Sequence, residues 1–205
     1  MKNIFFYTAG PIEAMKLDKG GEPWKDTLIA GLEAPEVFPY NPVRNESLKT
    51  GTTSDKTCDY IKGLKQSGNW SRFDNKMEEI WWADISPQHN KFEILKDFQC
   101  RARQNLITSE EFAYLGDFPA VAVSDFITVY IPKGVRTVGT YAELTVAYFL
   151  NIPVFLILDG HTRSEANSTL LYLTRNASYI QDNSNVAYSV PEAVKQIREK
   201  FIDNR

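Results

Sequence analysis

The chain has 205 residues, 43% hydrophobic and 13% aromatic, enough to bury one α/β core within the usual size of a single domain, 1–205. Its 23 basic and 26 acidic residues are scattered, giving a net charge of −3 and no basic stripe, so polymeric nucleic acid is not an expected partner. Cys58 and Cys100 are solitary and lack metal-type spacing, so neither a disulfide framework nor a cysteine metal site is expected, and a reduced compartment fits them better.

In chain order, "NIFFYT" (3–8) is an apolar, aromatic run ended by Gly10 and Pro11, which predicts a buried strand and a sharp turn. The apolar part of "MKNIFFYTAGPIE" is too short for a spanning helix or a signal peptide. A cytoplasmic protein with no membrane partner is therefore expected. "WKDTLIAGLEA" (24–34) sets Trp24, Leu28, Ile29 and Leu32 at helical spacing, and "EVFPYNP" (36–42) predicts a second strand. The pattern then breaks. Between residue 43 and about 108 the chain reads as an insertion: a long polar stretch with no patterned element up to 74, then helices over 75–87 and 90–106. Trp70, Trp81 and Trp82 lie in it, either docking a satellite helix pair or forming an aromatic lid.

"GDFPAVAVSD" follows, with Asp117 and Asp125 eight residues apart, two turns of a short helix. "DFITVYIP" (125–132), a helix from about Tyr141 to Leu150 and "PVFLIL" (153–158) make another strand–helix–strand unit. "SVPEAVKQIREKFI" opens with a Ser-Pro-Glu helix start and keeps Val194, Ile197 and Phe201 on one face. Buried strands alternating with helices predict an α/β fold, a parallel sheet with helices on both faces.

Such sheets bind ligands beyond the carboxyl ends of their strands, which directs attention to the residues just after each apolar run. After the first strand, Gly10 and Pro11 make a turn whose backbone can approach a ligand. After the central strand comes "GVRTVGTYAEL" (134–144). Two readings of it stand side by side. Thr140 and Glu143 have the spacing of a capping box, in which Glu143 reaches back to the cap's N–H. Alternatively, Arg136, Thr137, Gly139 and Thr140 hold an anion at a helix amino terminus, and Glu143 is an ionised carboxylate at the mouth of a cleft. His89 and His161 are each alone in a polar loop and read as surface residues.

"FFYTAGPIE", the Asp117 to Ser124-Asp125 spacing and "GTYAE" before "LTVAYFLNIPVFLI" together resemble the nucleoside 2-deoxyribosyltransferase family and the related nucleoside 5′-monophosphate N-glycosidases. Residues 43–108 lie outside the resemblance. It implies a Rossmann-like (flavodoxin-like) fold, no cofactor, and a small-molecule nucleoside or nucleotide as partner. By resemblance Glu143 is the nucleophile at the anomeric carbon, Tyr7 orients it, and Asp117 contacts the leaving base and assists its protonation. Asp125, Gly10, Pro11 and Gly139 fall in the substrate-binding motifs. Family relatives complete their sites from a neighbouring subunit, which implies a homo-oligomer. The chain departs from the deoxyribosyltransferase pattern where a second acid stands six positions before the nucleophile, because Thr137 occupies that place beside Arg136. By charge logic Arg136, Thr137 and Thr140 then suit a 5′-phosphate. Two alternatives remain: a non-enzymatic nucleotide-sensing module with Glu143 as a cap, and a Lonely Guy type phosphoribohydrolase, which expects a second glycine where Lys133 stands.

Overall fold

The computed structural model describes residues 2–11, 23–83, 85, 90–135, 139–174 and 185–204. Five parallel strands form its sheet: β1 (Ile4–Ala9), β2 (Val37–Tyr40), β3 (Phe126–Pro132), β4 (Val154–Asp159) and β5 (Val186–Ala187), in the order β2-β1-β3-β4-β5. This is the doubly wound α/β arrangement expected from the alternating runs. Its strand order reverses direction between β1 and β3, the place where such sheets open a crevice.

Alternation along the strands divides the interior into two layers. Phe5, Tyr7 and Ala9 of β1 join Ile127, Val129 and Ile131 of β3 on one face. Ile4 and Phe6 join Phe126 and Tyr130 on the other. That second face is covered by α1 (Pro23–Gly31), through Trp24 and Leu28, and by α10 (Val190–Ile197), through Ala193 and Ile197. The predicted carboxyl-terminal helix is present. Its last turn, Arg198–Ile202, widens to π-helical form, and Phe201 packs on Phe126 and Phe155.

The first face carries α7 (Asp117–Val123), α8 (Gly139–Phe149) and α9 (Ser168–Thr174). Every residue of α7 is buried, because it lies between the sheet and two helices of the 43–108 segment. Pro119 is tolerated in its first turn, where no backbone N–H is required. Asp117 and Asp125 do not share this helix, as the spacing had suggested: it ends at Val123, and the Ser124 hydroxyl donates to the Ala120 carbonyl at 2.8 Å.

The polar stretch 43–74 is the main departure from expectation. It forms α2 (Pro42–Thr50), α3 (Ser54–Gln66) and the start of α4 (Trp70–Trp82). α3 buries only Thr57 and Leu64 among its described side chains, so no apolar stripe marks it in the sequence. Then come α5 (Lys91–Arg103) and α6 (Ser109–Tyr114), capped by Asn90 and Thr108 side chains that accept from backbone N–H groups of their first turns. Trp81 and Trp82 dock α4 on Phe118 of α7, with ring centroids 5.0 and 5.2 Å away. Trp70 is exposed and packs edge-on against Phe73. Gly116 is required where α4 meets α7, since a Cβ there would lie 2.5 Å from the Trp81 carbonyl oxygen. Among the described residues no helix is long and apolar enough to cross a membrane.

Candidate active site

Two strands and two helices deliver one polar cluster to the carboxyl end of the sheet. Tyr7 is in β1 and Tyr40 is the last residue of β2; both are fully buried and project to the same face, because Tyr7 and Tyr40 are register partners. Their rings stack, with centroids 5.2 Å apart and planes 15° from parallel. α7 precedes β3 and runs back against it, so its first residue, Asp117, sits at the same end. α8 leaves that end after β3, and Glu143 lies one turn inside it. The four side chains therefore meet beside the β1/β3 reversal.

Tyr7 Oη donates to Glu143 Oε1 at 2.6 Å. Tyr40 Oη donates to the Leu115 carbonyl at 2.6 Å and lies 3.3 Å from Asp117 Oδ1. Burial, then the negative field of Asp117 and of Glu143, pushes the Tyr7 phenol well above its ordinary pKa. Burial and Asp117 do the same for Tyr40, with smaller effects from Glu46 and Glu143. Both phenols thus keep their protons, and Tyr7 can act on Glu143 only as a donor. A short O–H···O⁻ bond of this kind fixes the carboxylate's orientation while leaving its charge in place. A positioned carboxylate with a second acid on the adjoining wall is the equipment for attack at an electron-poor carbon coupled to proton transfer.

The local reading of Glu143 as half of a capping box does not hold. α8 begins at Gly139, so Thr140 lies inside the helix rather than at its cap, and Glu143 turns to Tyr7. Thr140 Oγ1 is buried at the same helix start and makes no hydrogen bond among the described residues. Gly10 follows β1 directly, and the Trp24 indole fills the space beside it: a Cβ would lie 2.7 Å from Trp24 Cζ2. Pro11 is buried next to it.

Asp125 is a correction. It precedes β3, at the amino end of the sheet, where its carboxylate accepts from the Phe5 N–H at 3.0 Å and from Lys2 Nζ at 2.8 Å. It ties β1 to β3 and does not join the cluster. Arg136 and Thr137 lie outside the described residues, as does His89. His161 Nε2 lies 2.9 Å from the Ile131 carbonyl oxygen, at the end of β3. The residue that sequence reasoning missed is Tyr40. Its signal was present, since it closes a predicted strand at the carboxyl end, the same placement that selected the turn after Tyr7. Compared with known proteins, the chain matches no protein-family model and no curated protein sequence.

Proposed function

We propose that this protein breaks or transfers the N-glycosidic bond of a nucleoside or nucleoside 5′-monophosphate, with Glu143 as nucleophile. The observation that carries this reading is the 2.6 Å bond from Tyr7 to Glu143, held in a buried stack with Tyr40 beside Asp117. Glycosyl transfer needs a carboxylate on the sugar's face and a proton donor at the departing base. Glu143 attacks the anomeric carbon as the C–N bond breaks, giving a glycosyl ester; the bond's electron pair leaves with the base, which takes a proton from Asp117. Water or a second base then attacks the same carbon, giving a proton to the Asp117 carboxylate, and releases the Glu143 carboxylate. Tyr7 holds Glu143 in one orientation through both steps, which lowers the entropic part of each barrier.

The test is release of free base from a panel of nucleosides and their 5′-monophosphates, with and without an added acceptor base. Release in water alone marks a hydrolase, and exchange into the acceptor marks a transferase. Preference for the monophosphate supports a phosphate site at Arg136, Thr137 and Thr140, and equal rates remove it. A protein that binds these compounds without releasing base from any of them is a sensing module instead.

A further inference from the structure

We propose that the tip of the α3–α4 hairpin is a docking surface for a lipid bilayer with anionic headgroups, a role independent of the glycosidic reading. α4 carries an apolar stripe at helical spacing: Trp70, Phe73, Met77 and Trp81. The inner end of the helix is used, since Trp81 and Trp82 dock on Phe118. The outer end runs past the body of the protein. Every residue from 65 to 72 is exposed, and Trp70, 58% exposed, meets the ring of Phe73 edge-on at 5.9 Å. A lone exposed ring is ordinary in itself. What sets this one apart is the charge around it.

Between Asp59 and Asp74 the chain has no acid, while Lys62, Lys65 and Arg72 surround the turn. Lys62 and Lys65 stand three apart in the last turns of α3 and so share a face of it. Arg72 is in the first turn of α4, two residues from Trp70. None of the three forms an ion pair with a described residue, whereas Lys76, Lys91 and Arg101 on α4 and α5 pair with Glu79, Glu78 and Glu111. The tip thus carries three uncompensated positive charges in a chain whose net charge is −3.

The shape of the tip selects the partner. A stable protein complex buries about 800 Å² on each side, more than the convex end of one helical hairpin offers. Single-stranded nucleic acid lies in grooves where several rings stack on successive bases, and here one ring is presented. A bilayer requires neither. Its anionic surface attracts each nearby lysine or arginine, and its headgroup region favours an indole, which is apolar over its rings and polar at its N–H. The expectation of no membrane partner rests on spanning segments, which a weak and reversible surface contact does not use.

The experiment is sedimentation of the full chain with vesicles of phosphatidylcholine alone, or of an equal mixture of phosphatidylcholine and phosphatidylserine. At low salt the mixed vesicles should bind at least about tenfold more tightly, since each cation near the surface contributes about fivefold, and the preference should shrink as salt rises. Lys62→Ser combined with Lys65→Ser should remove most of that preference. Brominated phosphatidylcholine in the mixed vesicles should quench part of the tryptophan emission. Trp70→Phe should abolish the quenching, because Trp81 and Trp82 are packed on Phe118 and Trp24 on Tyr130. The substituted side chains are exposed, so the circular dichroism of these variants should match the wild type. Failure of the wild-type chain to bind the mixed vesicles overturns the proposal. So does equal binding to both kinds of vesicle, or binding and quenching that persist in the variants. Tip-dependent affinity for a single-stranded oligonucleotide, without vesicle binding, also overturns it and assigns the surface to nucleic acid.

Discussion

The chain from Asp117 to Asp125 carries one aspartate to each end of the sheet, and the two could hardly be treated more differently. At the amino end Asp125 meets a lysine and a backbone N–H, so its charge is neutralised where it stands. At the carboxyl end Asp117 meets a phenol, and the other ionisable groups acting on that phenol include two more acids, Glu46 and Glu143. The first arrangement lowers the free energy of the fold. The second sets carboxyl groups near one another and beside two buried phenols, where each acid's charge opposes ionisation of its neighbours. Acids and phenols gathered at a sheet's switch point are what a site prepared for chemistry looks like. The difference between the two ends, rather than any single contact, supports placing function at the β1/β3 reversal.

Substitutions at the two ends should separate accordingly. Glu143→Gln should show the largest effect, a loss of turnover on the order of a thousandfold or more, because glutamine fills the place but cannot attack. Its unfolding free energy should change by no more than about 1 kcal/mol, the worth of one hydrogen bond. Asp117→Asn should slow base release by about a hundredfold, and by much less for a substrate whose base leaves without protonation. Near-normal rates in either variant would place the chemistry elsewhere.

Structural contacts should behave in the opposite way. Gly116→Ala forces a methyl group against the Trp81 backbone, which cannot yield as a side chain would, and should destabilise by about 1–3 kcal/mol in a denaturant titration. Asp125→Asn should cost about 1–2 kcal/mol of stability and leave turnover within about twofold of wild type. A hundredfold loss of activity in a folded Asp125→Asn protein would erase the contrast between the ends.

The phenols supply the mildest test. An unfolded tyrosine ionises near 10, whereas Tyr7 and Tyr40 are held well above that in the fold. A raised folded pKa stabilises below the unfolded value and loses that stability as pH rises. Stability should therefore fall above about pH 10, by up to about 1.4 kcal/mol per pH unit for each tyrosine, and Tyr7→Phe should flatten the slope.

Much of this could be read from the sequence because strands buried on both faces announce themselves. The runs at 3–8, 125–132 and 153–158 are apolar whichever way their side chains point, so β1, β3 and β4 were legible to within a residue or so. β5 has two residues, too few to leave a pattern. α2 and α3 were hidden for a different reason: mostly exposed helices need no apolar stripe, and a polar stretch that folds looks like one that does not. At the candidate site, Tyr7, Asp117 and Glu143 were singled out by the resemblance of their motifs to a known family, and the fold brings their side chains together. Asp125 misled because spacing cannot show where a helix stops. Tyr40 closes a predicted strand, a placement the sequence does show, but its stacking on Tyr7 depends on a strand pairing that no motif marks.

The most direct test of the central claim is to trap the intermediate. Wild-type protein incubated with a 2-fluoro sugar analogue of whichever nucleoside or nucleotide it cleaves should gain the mass of one glycosyl group, and peptide mass spectrometry should place it on Glu143. Tyr7→Phe should form the same adduct more slowly, and Glu143→Gln should form none. Base release without any adduct, or an adduct on another residue, would contradict the assignment of Glu143 as nucleophile.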